Sequence, residues 1–294
     1  MPFRALDKLR PASDRAAGYL LVAPALVTLG ALSLYPLFYT TKLAFQAGGE
    51  WSLGNFTRLA SDHFFHAALL HTLVYGAVAL TLEFLLGLAL ALLLDREIRS
   101  RSLFRAILLI PMMLPPVVVG VVWRLMFNPD FGPINGTLRS IGVATDGLTW
   151  TASPALAMVS VICVDVWQWT PFVMLVLLAG LQAIPREPYE AAMIDGASAW
   201  QTFLHVTLPL LKPAILIVLL LRSMDLLRVF DQVRILTAGG PGFATEMISL
   251  YIYRVAFEVN FDFGYAAAMA FVLLIMTNVI SLGYIRLLER EESL

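Results

Sequence analysis

Pro185-Arg186-Glu187-Pro188-Tyr189-Glu190-Ala191-Ala192-Met193-Ile194-Asp195-Gly196-Ala197 decides how this chain folds, because it separates two long apolar runs and is itself neither apolar nor a simple turn. Pro185 and Pro188 close the run before it. Residues 189–195 are compatible with a short helix. Gly196 stands where that helix would stop or bend, since glycine enters the left-handed backbone region without a Cβ penalty. A second amphipathic stretch covers 197–206, and Leu208-Pro209 with Lys212-Pro213 leads into the next apolar run. The pattern predicts two short helices meeting at Gly196. Small Ala191, Ala192 and Ala197 allow another protein to approach closely, and Glu190 and Asp195 offer carboxylates to basic partners.

The flanks are too apolar for water. The chain has 294 residues, 59% hydrophobic and 14% charged, against about 25% charged in an ordinary soluble domain. At 1.5 Å per residue, about 20 apolar residues cross the hydrocarbon core. Runs at 18–45, 68–94, 103–127, 154–182, 213–235 and 266–288 reach that length. The expectation is an all-α polytopic protein with six transmembrane helices in a single domain over 1–294. Pro24, Pro36, Pro111, Pro115 and Pro116 predict kinks in the first and third runs, tolerated where neighbouring helices satisfy the freed carbonyls. The first run is too long for a signal-peptide core and has no small-residue cleavage site before Lys42, so it reads as retained.

Lys and Arg set the orientation. Arg4, Lys8, Arg10 and Arg15 precede the first run, Arg96, Arg99, Arg101 and Arg105 follow the second, and Arg286 and Arg290 end the chain. The alternate loops hold Arg58, Arg139 and Arg254. Both termini are therefore expected in the cytoplasm, with the 183–212 loop on the same side by alternation. A net charge of −1 gives no basis for nucleic-acid binding. The single Cys163 excludes an internal disulfide and reads as packing. His63, His66, His71 and His205 read as surface or interfacial groups without a metal cluster.

Glu190-Ala191-Ala192, three residues, Gly196, nine residues, then Val206-Thr207-Leu208-Pro209 resembles the EAA loop of ATP-binding-cassette (ABC) importer permeases. Val206 replaces the Ile of that pattern. Leu109-Ile110-Pro111 through Phe131-Gly132, Asp165 through Phe172, and Arg222 through Pro241 are similar to sugar permeases of the MalF, SugA and UgpA type. The chain lacks the extra N-terminal helices and large periplasmic insertion of MalF, which places it nearer the SugA or UgpA type. The resemblance implies a bacterial inner-membrane permease subunit that imports a sugar, such as trehalose, maltose or a related small carbohydrate, by alternating access. Its implied partners are a second homologous permease, an ABC ATPase dimer and a periplasmic or lipoprotein solute-binding protein. It implies ATPase coupling for Glu190, Ala191, Ala192, Asp195, Gly196 and Ala197. UgpA leaves glycerol-3-phosphate open as an alternative solute.

No Walker A stretch is present: Gly142–Thr149 comes nearest, with Leu148 where the phosphate-binding Lys belongs. ATP and Mg are thus expected in the partner ATPase, with no cofactor on this chain. No catalytic constellation such as H-E-x-x-H or G-x-S-x-G occurs, so the chain reads as no enzyme.

Charges inside the apolar runs need partners or water. Arg222, Asp225, Arg228, Asp231 and Arg234 recur every three residues. On one helix, each Asp would sit between two Args. That ladder reads either as a self-neutralised brace or as a polar wall of the solute path. Asp165, Gln168, Trp169 and Phe172 share one face of the fourth run. A carboxylate, an amide and an aromatic plate suit a sugar, whose hydroxyls need hydrogen bonds and whose C–H face packs on a ring. The alternative is an Asp paired to another helix beside an ordinary packed Trp. Glu83, alone in the second run, reads as half of a structural pair. An ion-coupled secondary transporter using the ladder as a proton relay is the main rival, but it leaves the EAA pattern unexplained.

Overall fold

The computed structural model describes the backbone of residues 12–96, 101–259 and 261–292, and the side chains of 19–96, 101–259 and 261–290. Arg4, Lys8, Arg10, Arg99 and the Arg15 side chain lie outside the described residues. The chain is helical, apart from a two-residue antiparallel pair, β1 (Gln46–Ala47) and β2 (Glu50–Trp51). In chain order the helices are α1 (Ala12–Ala44), α2 (Gly54–Ser61), α3 (His63–Asp95), α4 (Arg101–Met113), α5 (Pro116–Met126) and α6 (Pro133–Ser140). They continue as α7 (Pro154–Ala183), α8 (Glu187–Ile194), α9 (Ala199–Thr202), α10 (Leu208–Leu226), α11 (Asp231–Leu236), α12 (Ile248–Arg254) and α13 (Phe263–Glu292). Among the described residues five segments are long and apolar enough to cross a bilayer, and the bent α4–α5 pair makes a sixth if read as one span.

The helix starts follow local chemistry. Asp62 caps α3 by accepting from the Phe64 and Phe65 N–H groups at 2.8 and 3.2 Å. Pro154 opens α7 at a position where the missing N–H costs nothing. α7 is the hub: it is the most buried of the spans and packs on α3, α4 and α10. α3 and α7 approach so closely at Gly87 that a Cβ there would lie 2.7 Å from Val173 Cγ1. Below this contact an apolar layer of Ala91, Leu94, Met174, Leu177, Leu181 and Leu211 joins α3, α7 and α10. α1 packs on α13 and leaves most of its apolar surface outward.

The kink expected in the third run is there and is large: α4 and α5 meet at 96°, the break falling at Leu114-Pro115. Pro115 and Pro116 cannot supply N–H groups to the preceding turn. At the break itself the Leu114 carbonyl accepts from Gln168 Nε2 at 2.8 Å. The fifth run is not one helix. α10 stops at Leu226, and α11 starts afresh at Asp231. The helical geometry that would place every Asp between two Args therefore ends after Asp225. Cys163 also differs from a packed core residue: it is exposed on the outer face of α7.

Candidate functional site

Arg222 organises the middle of the bundle. Its Nε donates to Glu83 Oε2 at 2.7 Å and its Nη2 to Glu83 Oε1 at 2.8 Å, a two-pronged fork. The same Nη2 donates to Asp165 Oδ2 at 2.9 Å. Helices α3, α7 and α10 thus contribute one charge each to a triad whose side chains are 0%, 3% and 2% exposed. An unpaired ion there would cost several kcal/mol (on the order of 3–5 once a partner is removed); the fork and the third carboxylate supply the compensation. The Arg222 guanidinium also lies 4.9 Å from the Trp169 ring centroid, within cation–π range.

A cavity of about 230 Å³ opens beside the triad. Asp165, Trp169, Arg222 and Asp225 line it, as their sequence positions suggested. Asp225 bridges the two arginines of its own segment, 3.7 Å from Arg222 Nη1 and 3.6 Å from Arg228 Nη2. Gln168 and Phe172 are not brought to the cavity. Gln168 is fully buried; it accepts from the Gln232 Nε2 group and donates to Leu114, holding the α4–α5 corner to α7 and α11. Phe172 packs edge-on against Trp169 and belongs to the apolar layer below. The cavity also takes Arg228 and Asp231, which the charge ladder offered as a polar wall, and Tyr75 and Gln232, which no sequence pattern singled out. Glu83 was the readable signal, a lone acid in an apolar run, but its partner is remote in sequence.

Beyond the cavity, α11 leads into the loop 237–247. Arg254 gathers this region: its Nη1 lies 3.0 Å from Glu246 Oε2, and its Nη2 donates to the Ala238 carbonyl at 3.0 Å. Arg234 of α11 pairs with Glu258. The Glu246 side chain is fully buried, and burial, only partly offset by Arg254, pushes its carboxyl up to about 7. Nearby at the same end, burial opposes charge on Asp62. The hydroxyls of Tyr265 and Tyr251, at 2.6 and 2.8 Å, with two backbone N–H groups, nevertheless hold it below the usual carboxylate range.

The opposite end carries the 183–212 loop. α8 ends in a hydrogen-bonded reversal: Gly196 N–H donates to Met193 O at 3.1 Å and Ala197 N–H to Ala192 O at 2.9 Å. This paired pattern requires a left-handed residue, and Gly196 has φ +74°. Ser198 then caps α9 reciprocally with Gln201. α9 passes through a π turn, Phe203–Thr207, directly into α10. Glu190, Ala191, Asp195 and Gly196 are exposed, and Ala192 and Ala197 are half-buried. Met193, Ile194 and Trp200 expose 70%, 87% and 66% of their surface.

Comparison with known proteins places this architecture. The family described as "Binding-protein-dependent transport system inner membrane component" matches residues 83–292. The Trehalose/maltose transport system permease protein MalF of Thermococcus litoralis is 36% identical over 92% of this chain and 92% of its own length. The Lactose transport system permease protein LacF of Rhizobium radiobacter is 35% identical, covering 90% of this chain and 91% of its own. A bacterial alginate ABC transporter, solved in complex with its alginate pentasaccharide-bound periplasmic protein, superposes with a TM-score of 0.80 at 26% identity. That match covers 92% of this chain and 94% of the solved one.

Proposed function

Because this chain belongs to the family of binding-protein-dependent transport system inner membrane components, we propose that it is the permease of an importer for a disaccharide such as trehalose or maltose, or a related small carbohydrate. The observation that carries the reading is the mid-bundle cavity: a polar wall of Asp165, Asp225 and Arg222 beside the Trp169 ring, inside an otherwise apolar bundle. Carboxylates accept from sugar hydroxyls, and an aromatic face packs on the sugar's C–H face. Relatives that carry trehalose/maltose and lactose transport in their names support the substrate class.

The chain works in the inner membrane with both termini and the 183–212 loop in the cytoplasm. An external solute-binding protein delivers the sugar, as the periplasmic protein of the alginate complex suggests. A second, homologous permease completes the cavity. A separate ATPase dimer holds ATP and Mg and docks on residues 190–197. The exposed Met193 and Ile194 beside the Gly196 reversal suit a groove on that subunit. ATP-driven closure then acts by favouring one bundle conformation over the other, which is the only way a partner can shift such an equilibrium.

The test is uptake of radiolabelled trehalose or maltose by the assembled transporter in proteoliposomes. Trp169→Ala is expected to cut uptake about tenfold or more, a loss of the size of a stacked, desolvated aromatic contact, with assembly intact. Unchanged affinity and rate in that variant remove the cavity from the solute path.

A further inference from the structure

Two arginines in a membrane cavity suggest at first an anion site, and the sugar-phosphate alternative raised by the sequence would use one. Resting on the sugar reading above, we propose that this cavity instead sorts glycosides by charge. It accepts neutral or cationic ones and rejects phosphorylated or uronate ones, with Asp225 and Asp231 as the residues that set the rule.

The two guanidinium groups are already committed. Arg222 spends Nε and Nη2 on Glu83 and Asp165, and its Nη1 faces Asp225 at 3.7 Å. Arg228 donates Nε to the Met224 carbonyl at 3.1 Å and turns Nη2 to Asp225 at 3.6 Å. An incoming phosphate or carboxylate would have to displace Asp225 to reach Arg222, and at the half-exposed Arg228 it would stand beside the Asp225 carboxylate. The lining holds three acids, Asp165, Asp225 and Asp231, against these two bases, and Glu83 stands directly behind Arg222. Asp231 is exposed at the cavity and has no ion-pair partner among the described residues. Juxtaposed like charges in such a site cost several kcal/mol. A neutral sugar meets none of this repulsion. It brings hydroxyl donors to Asp225 and Asp231, which have acceptor capacity to spare, and its ring can lie on Trp169.

The experiment measures equilibrium binding to the assembled permease and ATPase complex in nanodiscs, without the binding protein, so that the cavity alone selects. Trehalose and trehalose 6-phosphate, and maltose and maltose 1-phosphate, serve as matched probes. The native complex is expected to bind each neutral sugar at least about tenfold more tightly than its phosphate, a modest share of the repulsion above. Asp225→Asn should move the two affinities in opposite directions, weakening the neutral sugar and strengthening the phosphate as Arg222 Nη1 and Arg228 are released. Asp231→Asn, at an exposed position outside any ion pair, should strengthen the phosphate without that release and checks that a folding defect is not read as specificity. Equal binding of both members of a pair by the native complex, or no gain for phosphate in either variant, overturns the charge rule alone. Binding of neither member by any of the complexes overturns the sugar reading and this inference together.

Discussion

The middle of the bundle and the 183–212 loop break the usual sorting of residues in opposite ways. Around Arg222, three charged side chains are buried in the apolar interior of the membrane segment. On the loop, Met193 and Ile194 stand largely exposed outside the spans, and Trp200 stands exposed at the start of the Ala199–Leu226 span. The buried charges find every partner they need within the chain: a fork to Glu83, a third bond to Asp165, a ring in Trp169. Of the exposed apolar groups, Trp200 stacks on the Phe203 ring, while Met193 and Ile194 belong to no hydrophobic cluster among the described residues. The backbone beneath them is nevertheless fixed by the Gly196 reversal and the Ser198–Gln201 cap, so the surface is presented in one conformation. The triad's charges are settled within the fold, leaving Trp169 and Asp225 to face the cavity, whereas the loop holds its apolar groups outward on a fixed backbone.

This difference breaks most visibly under substitution. Glu83→Ala leaves Arg222 buried with one carboxylate, and removing one partner of a buried pair costs about 3–5 kcal/mol. The thermal transition of the purified chain in nanodiscs should fall accordingly. Replacing the triad together, as Glu83→Leu, Asp165→Leu and Arg222→Met, should recover most of that loss, because apolar side chains of similar size need no ionic partner. A single substitution that moves the transition no further than a surface change, within about 0.5 kcal/mol, would show that the triad does not hold the bundle. The loop should respond in the reverse sense. Ile194→Asp is expected to leave the thermal transition within about 0.5 kcal/mol and to weaken association with the ATPase subunit by about 30-fold, the effect of a hot-spot residue worth about 2 kcal/mol. Association measured by surface-immobilised ATPase would decide it; native affinity in that variant would remove the loop from the interface.

The two regions were also unequally legible in the sequence. The loop could be read because its geometry is local: a helix-compatible stretch ending at Gly196 carries its own instructions within residues 189–196. The spans could be read because bilayer thickness fixes their length. The triad could not, because Arg222 is 139 residues from Glu83 and 57 from Asp165. The regular spacing of Arg222, Asp225, Arg228, Asp231 and Arg234 suggested a ladder on one helix, yet α10 ends at Leu226 and Arg234 turns to Glu258. The prolines at 115 and 116 announced a break without its size. Their 96° corner depends on an acceptor in need, Leu114 O, and a donor far along the chain, Gln168. Gln168 itself read as a sugar ligand on helical spacing, since periodicity gives a face but not what that face meets.

Glu246 sharpens the contrast through pH, because it is a buried charge whose compensation is incomplete. Arg254 lies 3.0 Å away, but neither carboxylate oxygen has a hydrogen-bond donor among the described residues. Burial raises its carboxyl from the ordinary 4.5 to about 7. The folded chain therefore holds a proton that the unfolded chain releases between these values, and stability follows the difference in bound protons. This group's contribution is most favourable below 4.5, declines as pH rises, and levels off above about 7. Asp62, whose carboxyl is held below the usual range, runs the other way, and its contribution is lost only as pH falls beneath its ordinary 3.8. Between pH 5 and 8, then, Asp62 is silent and Glu246 sets a downward slope. In Glu246→Gln that slope should flatten, with the transition temperatures of variant and native chain drawing together toward pH 5 and the variant gaining on the native chain toward pH 8. Parallel curves across the whole range would mean that Arg254 neutralises Glu246 fully, and that this end of the molecule is as well compensated as the triad.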